Sequence, residues 1–502
     1  MAYINIPSLN YKNLVFSFAL KTPGEEETIR ISNSLHHYLS NIKEQIDEYN
    51  SFWDYYKKIT NPYEFIHSHV PEFKMAICKY KPLSRSFFKM IEIIHTFSFL
   101  TETTNLNCFH LAEGPGGFIE AFNYKRNNIN DKLYGITLIS PDVNIPSWKK
   151  SSHYLNNNKN IIIEYGSSNT GDLFLKENLM YCNEKYAGSM DYITGDGGFD
   201  FSVDFNQQEE LSMKLVIAQI FFAIIMQKTG GNFVVKIFDI FKFKTVEIIF
   251  LLSNLYHYVY IYKPCTSRVA NSEKYIVCKN FKNNNPYIKS EIINNFDYVM
   301  NNIDNIYSLF NIRLPQLFLK KIEEINAIYG QQQIENINTT LNLIREYINV
   351  KHRTYLSSDD EDYDNYYSIK HDLVSFPDTH FFTPSIKDET TLVTDLLNLN
   401  NNVCQSPPQE INIESRLSFL QTPKFKLQNS QHSGSDSDNK SSSSNDAEEV
   451  LLSTFKNTKV KALSYPDKFT NKINALKNIN IQKSVNWCNK YNFPINKHFV
   501  NN

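Results

Sequence analysis

The chain has 502 residues, 42% hydrophobic and 14% aromatic, enough to bury the core of a full α/β domain and to carry extensions beside it. Its formal net charge of −2 conceals acid gathered in late serine-rich stretches and Lys and Arg scattered through the front, so the total does not exclude a nucleic-acid partner. The seven cysteines (78, 108, 182, 265, 278, 404 and 488) form no CxxC pair and no metal-ligand spacing, and the longest apolar runs, such as Leu215 to Met226, are too short for a bilayer; no metal, no membrane and a soluble, intracellular protein are expected.

Residues 1–75 are expected to form a helical N-terminal extension, because Leu35, Leu39, Ile42, Ile46, Tyr49, Phe52 and Tyr55 recur at steps of three and four. A helix over Ser84–Phe97 follows, with Phe87, Phe88, Ile91, Ile94 and Phe97 on its apolar face and Lys89 in its middle. Next comes Asn107-Cys-Phe-His-Leu-Ala-Glu-Gly-Pro-Gly-Gly-Phe118, an apolar run that breaks into a glycine-rich turn and resumes as a helix. Gly114, Gly116 and Gly117 let the backbone turn tightly and approach a ligand, as at the start of a nucleotide-type cofactor loop. By itself this stretch suits a dinucleotide equally well, or a turn with no ligand.

Strands and helices then alternate: strands 133–139 and 161–165, helix 172–181, strand 190–194, helix 207–227, strand 232–237, helix 245–254, and strands 257–262 and 273–278. That alternation predicts a doubly wound, mostly parallel sheet of the Rossmann-like α/β class, with ligands at the carboxyl ends of its strands. The last two strands are joined too closely for a helical crossover, so an antiparallel hairpin at the sheet edge is expected, which favours a methyltransferase sheet over a dinucleotide one. The methyltransferase domain is assigned to 76–285 and a helical extension to 286–355. An acidic, serine-rich linker follows over 356–450, then a small helical region over 451–502.

Four of these stretches each place one charged residue beside a strand: Lys89, Asp196, Lys236 and Glu273. Lys236 is the most informative, because Phe233-Val-Val-Lys-Ile-Phe238 is otherwise apolar and a buried ammonium without a partner is costly. Asp196 is the first candidate partner and Glu273 the second. Singly, Asp196 also reads as a turn residue, Lys89 as a solvated helix residue and Glu273 as a surface acid.

In that chain order the four residues resemble the tetrad of FtsJ-like (RrmJ-fold) ribose 2'-O-methyltransferases. Asn169-Thr-Gly-Asp-Leu173, Gly195-Asp-Gly-Gly-Phe-Asp200 and Lys263-Pro-Cys-Thr-Ser-Arg-Val-Ala-Asn-Ser-Glu273 resemble the Adrift-type mRNA cap methyltransferases within that family. The resemblance covers about residues 76 to 280. It implies an S-adenosyl-L-methionine cofactor, a capped RNA substrate with other capping or transcription components as partners, and methyl transfer to a ribose 2'-hydroxyl near the 5' end. It also implies catalytic roles for Lys89, Asp196, Lys236 and Glu273, and cofactor contacts from Glu113, Gly114, Pro115, Gly116, Gly117, Asp172 and Asp196. Asp172 matches the family's adenine-side acid, although a helix N-cap explains it equally well. The turn departs from relatives in carrying glycine where one Ala or Ser is common, and no acid directly follows strand 133–139 to mark the cofactor ribose.

A methyl sulfonium is an activated donor, so the protein's task is to align a hydroxyl and manage its proton, with no metal required. Lys236 suits either a general base or an ammonium that stabilises a developing alkoxide. Arg85, Lys263 and Arg268 are candidates for RNA phosphates, and Trp53, Tyr55 and Tyr56 read as core or as a stack for the cap guanine. Two alternatives remain open: a related enzyme acting on uncapped ribosomal or transfer RNA, and a silent RNA-binding subunit of the same fold. Limited proteolysis is expected to cut first within 357–366 and 430–449, and protection of both would count against the linker reading.

Overall fold

A sheet covered on both faces buries both sides of its strands, and this is why they read as nearly continuous apolar runs. The computed structural model describes residues 3–11, 14–21, 31–71, 73–142, 145–198, 205–283, 285, 287–356 and 464–499. The expected linker lies outside these residues apart from Leu356, as does Cys404. The described residues up to Tyr355 and from Ser464 onward belong to one packed unit.

Five parallel strands form the centre of the sheet: β3 (Asn107–Leu111), β4 (Lys132–Ile136), β5 (Ile161–Glu164), β6 (Met190–Gly195) and β7 (Gln227–Ile237). Antiparallel β8 (Tyr256–Tyr262) and β9 (Lys274–Phe281) extend it beside β7, and β1 (Ile4–Ile6) pairs antiparallel with β8. The order is β1-β8-β9-β7-β6-β3-β4-β5. The chain winds outward from β3 to β5 and returns through β6, so the switch point lies between the carboxyl ends of β3 and β6, where a doubly wound sheet opens its ligand crevice. The turn beginning at Glu113 and the turn beginning at Asp196 follow those two ends.

The N-terminal stretch is less helical than its periodicity predicts. Helices α1 (Asn33–Glu44) and α2 (Asn50–Thr60) are present, but Ile4–Ile6 supplies a sheet strand and β2 (Ala19–Leu20) pairs with β10 (Ile306–Ser308). Strands of two or three residues show no period of their own; partners some 250 or more residues away define them, as Ile4 opposite Ile261 does.

Side chains alternate between two cores. Phe109, Ile193, Phe233 and Val235 enter the core shared with α7 (Gln208–Met226) and α8 (Phe243–Leu255). Cys108, Tyr192, Val234, Tyr275 and Val277 enter the opposite one, with α3 (Ser86–Thr96) and α4 (Gly117–Arg126). The two-residue period therefore aims Lys236 at the α3 face. Phe87 through Ile94 of α3 are all buried, including Lys89 and Glu92, so this helix is enclosed and Lys89 is not a solvated residue.

Helix α10 (Gln316–Leu356) is continuous, and Gly330 within it makes room for α1, since a Cβ there would lie 3.0 Å from Leu35 Cδ2. Helix α11 (Tyr465–Lys490) starts at Ser464, whose Oγ accepts the Asp467 N–H at 3.2 Å. Asn480 ties it to the Ile59 carbonyl at 2.7 Å, and the chain beyond pairs with residues 77–79. Among the described residues, no helix is long and apolar enough to cross a membrane.

Candidate active site

Strand register assembles the first half of the site. Lys236 stands opposite Tyr275 in the antiparallel β7–β9 ladder, and Glu273 precedes Tyr275 by two residues, on the same face. Helix α3 covers that face and brings Lys89 Nζ to 2.6 Å from Glu273 Oε1, with both side chains buried. From the neighbouring strand end, the Asp196 carbonyl oxygen accepts a hydrogen bond from Lys236 Nζ at 2.7 Å, and its Oδ1 forms an ion pair with the same nitrogen at 3.3 Å. All four charged residues thus meet in one group, paired as Lys236 with Asp196 and Lys89 with Glu273.

Tyr275 joins the two pairs and is the member that sequence reasoning passed over. Its hydroxyl donates to Asp196 Oδ1 at 3.0 Å and lies 3.4 Å from Glu273 Oε1. Burial and the two carboxylates push its pKa far up, so it stays a donor. In sequence a tyrosine in an apolar strand reads as core; its place two residues after Glu273 is the one local signal. Burial lowers the Lys89 pKa, opposed by Glu273. Burial would raise the Glu273 carboxyl, but Lys89, Lys236 and Arg85 together hold it below the usual carboxylate range.

The glycine turn lies across the switch point. Gly116 has φ +109°, and a Cβ on Gly114 would lie 2.7 Å from the Pro146 carbonyl oxygen. A Cβ on Gly117 would come within 2.1 Å of Ser86 Oγ, so this glycine is what lets the start of α3, and with it Lys89, pack against the turn. Glu113 Oε1 accepts the N–H groups of Phe118 and Ile119 at 2.7 and 3.0 Å and caps α4. Its Oε2 is buried with no hydrogen-bond partner among the described residues, while burial and Asp196 raise the carboxyl's pKa well above normal.

Asp172 reaches the same end of the sheet. A Cβ on Gly171 would sit 2.0 Å from the Thr137 carbonyl oxygen, and Ile139 N–H donates to the Thr170 carbonyl at 2.8 Å, so the Asp172 loop is fastened to the loop after β4. Asp172 Oδ1 accepts the Phe174 N–H at 2.8 Å, whereas α6 (Lys176–Tyr186) has Leu175 at its N-cap. The helix-cap explanation of Asp172 therefore does not hold.

Two of the three candidate phosphate ligands are engaged internally. Lys263 is buried and donates to the carbonyl oxygens of Asn271 and Glu273, and burial, reinforced by Lys274, lowers its pKa to about 7. Arg268 forms a two-pronged pair with Glu64 at 2.7 and 3.0 Å. Arg85 has no carboxylate at ion-pair distance among the described residues, yet it is near enough to Glu273 and Tyr275 to lower both pKa values. Trp53 and Tyr56 are core residues, whereas Tyr55 is 46% exposed. No cluster of metal-ligating side chains occurs among the described residues.

Residues 82–281 match the model of the FtsJ-like methyltransferase family. A zebrafish (Danio rerio) protein named cap-specific mRNA (nucleoside-2'-O-)-methyltransferase 2 is 29% identical over 334 residues, 62% of this chain and 43% of the relative. The mouse (Mus musculus) methyltransferase 1 of the same name is 30% identical over 238 residues, 45% of this chain and 28% of its own. A Caenorhabditis briggsae protein named as inactive, methyltransferase 1B, is 28% identical over 235 residues, 44% of this chain and 27% of its own. The chain thus spans less than half the length of these curated relatives. S-adenosylmethionine is the cofactor that defines the FtsJ-like fold. The turn fits it: Gly116 takes the left-handed φ that turns the backbone at the switch point, and the buried Glu113 Oε2 is an orphaned polar atom in the same turn.

Forcing a side chain onto the Gly116 backbone costs on the order of 1–3 kcal/mol locally. Gly116→Val is accordingly expected to abolish S-adenosylmethionine binding in calorimetry while cooperative melting persists; unchanged affinity would sink the turn as the cofactor site.

Proposed function

Taking residues 82–281 as an FtsJ-like methyltransferase domain, we propose that the protein transfers a methyl group from S-adenosylmethionine to a ribose 2'-hydroxyl at the first or second transcribed nucleotide of capped mRNA. The observation that carries this reading is the buried Lys89–Glu273 pair and the partly buried Lys236–Asp196 pair, joined by Tyr275 beside the glycine turn. The cap-specific names of the relatives favour capped RNA over uncapped structural RNA. The relative named as inactive shows that overall likeness does not separate an enzyme from a silent fold-mate, so the complete tetrad is the argument for activity.

The cofactor, when bound, supplies the methyl group on a sulfonium that needs no further activation. Asp196 holds Lys236 Nζ by a hydrogen bond to its carbonyl oxygen and an ion pair with Oδ1, and a further position of the tetrahedral nitrogen is left for the 2'-hydroxyl. In a neutral amine that position is a lone pair and takes the proton; in an ammonium it is a third N–H and stabilises the alkoxide. Tyr275 steadies the carboxylate that orients Lys236. The Lys89–Glu273 pair lies beside Lys236, and Tyr275 links its carboxylate to Asp196. Arg85, at the rim, is positioned for a backbone phosphate of the RNA.

Lys236→Ala should reduce methyl transfer by about 10²–10⁴-fold with cofactor affinity nearly unchanged, measured by label transfer and calorimetry. Lys236→Arg keeps the charge but cannot take a proton: no activity identifies a base, and partial activity identifies charge stabilisation. A rate for Lys236→Ala close to the parent's would remove the tetrad from the mechanism. The parent should methylate capped RNA in preference to uncapped RNA, with nuclease mapping locating the nucleotide; equal rates would redirect the reading to structural RNA. Arg85→Ala is expected to raise the KM for RNA about tenfold and leave cofactor affinity alone, and an unchanged KM would exclude the phosphate contact.

A further inference from the structure

Glu92 lies three residues after Lys89 on α3 and is fully buried. Its carboxylate has no lysine or arginine at ion-pair distance among the described residues and is met instead by four donors. Oε1 accepts Thr266 N–H at 2.8 Å and the Trp487 indole N–H at 3.1 Å; Oε2 accepts Cys265 N–H at 2.7 Å and the Tyr262 hydroxyl at 3.3 Å. A buried carboxylate with no counter-cation depends on such bonds, and losing one leaves charge unsatisfied. The donors come from β8, from the segment 263–273 and from α11, which is far outside the family match at 82–281.

Segment 263–273 starts on Glu92 and ends on Glu273. Between the two, Lys263 donates to the Glu273 carbonyl at 2.8 Å and Ser267 Oγ to Glu273 Oε1 at 3.0 Å. Helix α3 therefore holds both partners of the 2.6 Å pair: it carries Lys89 itself, and through Glu92 it anchors the segment that presents Glu273. Trp487 completes the coordination of Glu92, and its ring packs edge-on against Phe88, next to Lys89, with centroids 5.5 Å apart.

We propose that Trp487 is a positioning residue for the Lys89–Glu273 pair, acting through Glu92, so that the C-terminal helix is a working part of the methyltransferase site. This rests on the proposed function for its kinetic consequence. Its geometric consequence stands apart: the Glu273 carboxyl is kept acidic by Lys89, Lys236 and Arg85, with Lys263, Arg268, Ser267 and Tyr275 as its other neighbours. Loosening Lys89 raises the pH at which that carboxyl titrates.

The test uses the full chain carrying Trp487→Phe, which keeps a ring and deletes the donor. Methyl transfer to capped RNA is expected to show kcat about tenfold lower, with KM for RNA and calorimetric cofactor affinity within about twofold of the parent. In protein labelled with carboxyl-¹³C glutamate, the Glu273 signal, assigned by its loss in Glu273→Gln, is expected to titrate at higher pH. A parent-like kcat together with a parent-like Glu273 titration overturns the proposal, and so does a fall in kcat no larger than the loss of folded protein. If the parent itself transfers no methyl group, the proposed function falls and the Glu273 titration alone decides the positioning role. Should Trp487→Phe not fold, Tyr262→Phe removes another donor from Glu92 with its ring kept, and the same two readouts decide.

Discussion

Charge cannot be buried without partners, and the carboxyl end of this sheet is arranged around that constraint. Lys89 and Glu273 are buried together and Lys236 and Asp196 partly so, each with its opposite charge within 3.3 Å, and Tyr275 spans the pairs. A buried pair contributes little net stability compared with apolar residues of the same shape, whereas removal of one partner is costly. What the arrangement supplies is a fixed geometry for its four charged side chains.

Glycine holds the turn against this group. Gly117 admits Ser84 and Ser86 at the start of α3, Gly114 admits Pro146, and Gly198 leaves room for Lys236 Nζ, which would lie 2.9 Å from a Cβ placed there. Side chains and backbone from three other segments can then close on glycine backbone. Thr137 connects the glycine turn to the Asp172 loop, since the Cβ missing from Gly114 and the one missing from Gly171 would both meet it. The loops that follow β3, β4 and β5 form one continuous rim for that reason.

Segments on either side of the family match are built into the same unit. Residues 4–6 pair with β8 and cover its outer edge, α10 closes on α1 at Gly330, and α11 reaches the carboxylate of Glu92. An edge strand with unpaired backbone invites association, and a three-residue strand from the N-terminal stretch covers part of it.

The alternation of apolar runs and amphipathic stretches was sufficient for the doubly wound sheet, its parallel centre and its antiparallel pair, because local periodicity reports burial directly. The isolation of Lys236 in an apolar strand likewise required a buried partner, and glycine spacing marked the turn. The sequence put Asp196 first and Glu273 second as the partner of Lys236 and named no partner for Lys89; strand register and the docking of α3 placed Asp196 on Lys236 and Glu273 on Lys89. Tyr275, the strand at Ile4–Ile6 and the bond from Trp487 to Glu92 were illegible for a related reason. Each is defined by a contact with a distant part of the chain or across the sheet, and such contacts leave no period in the residues that make them.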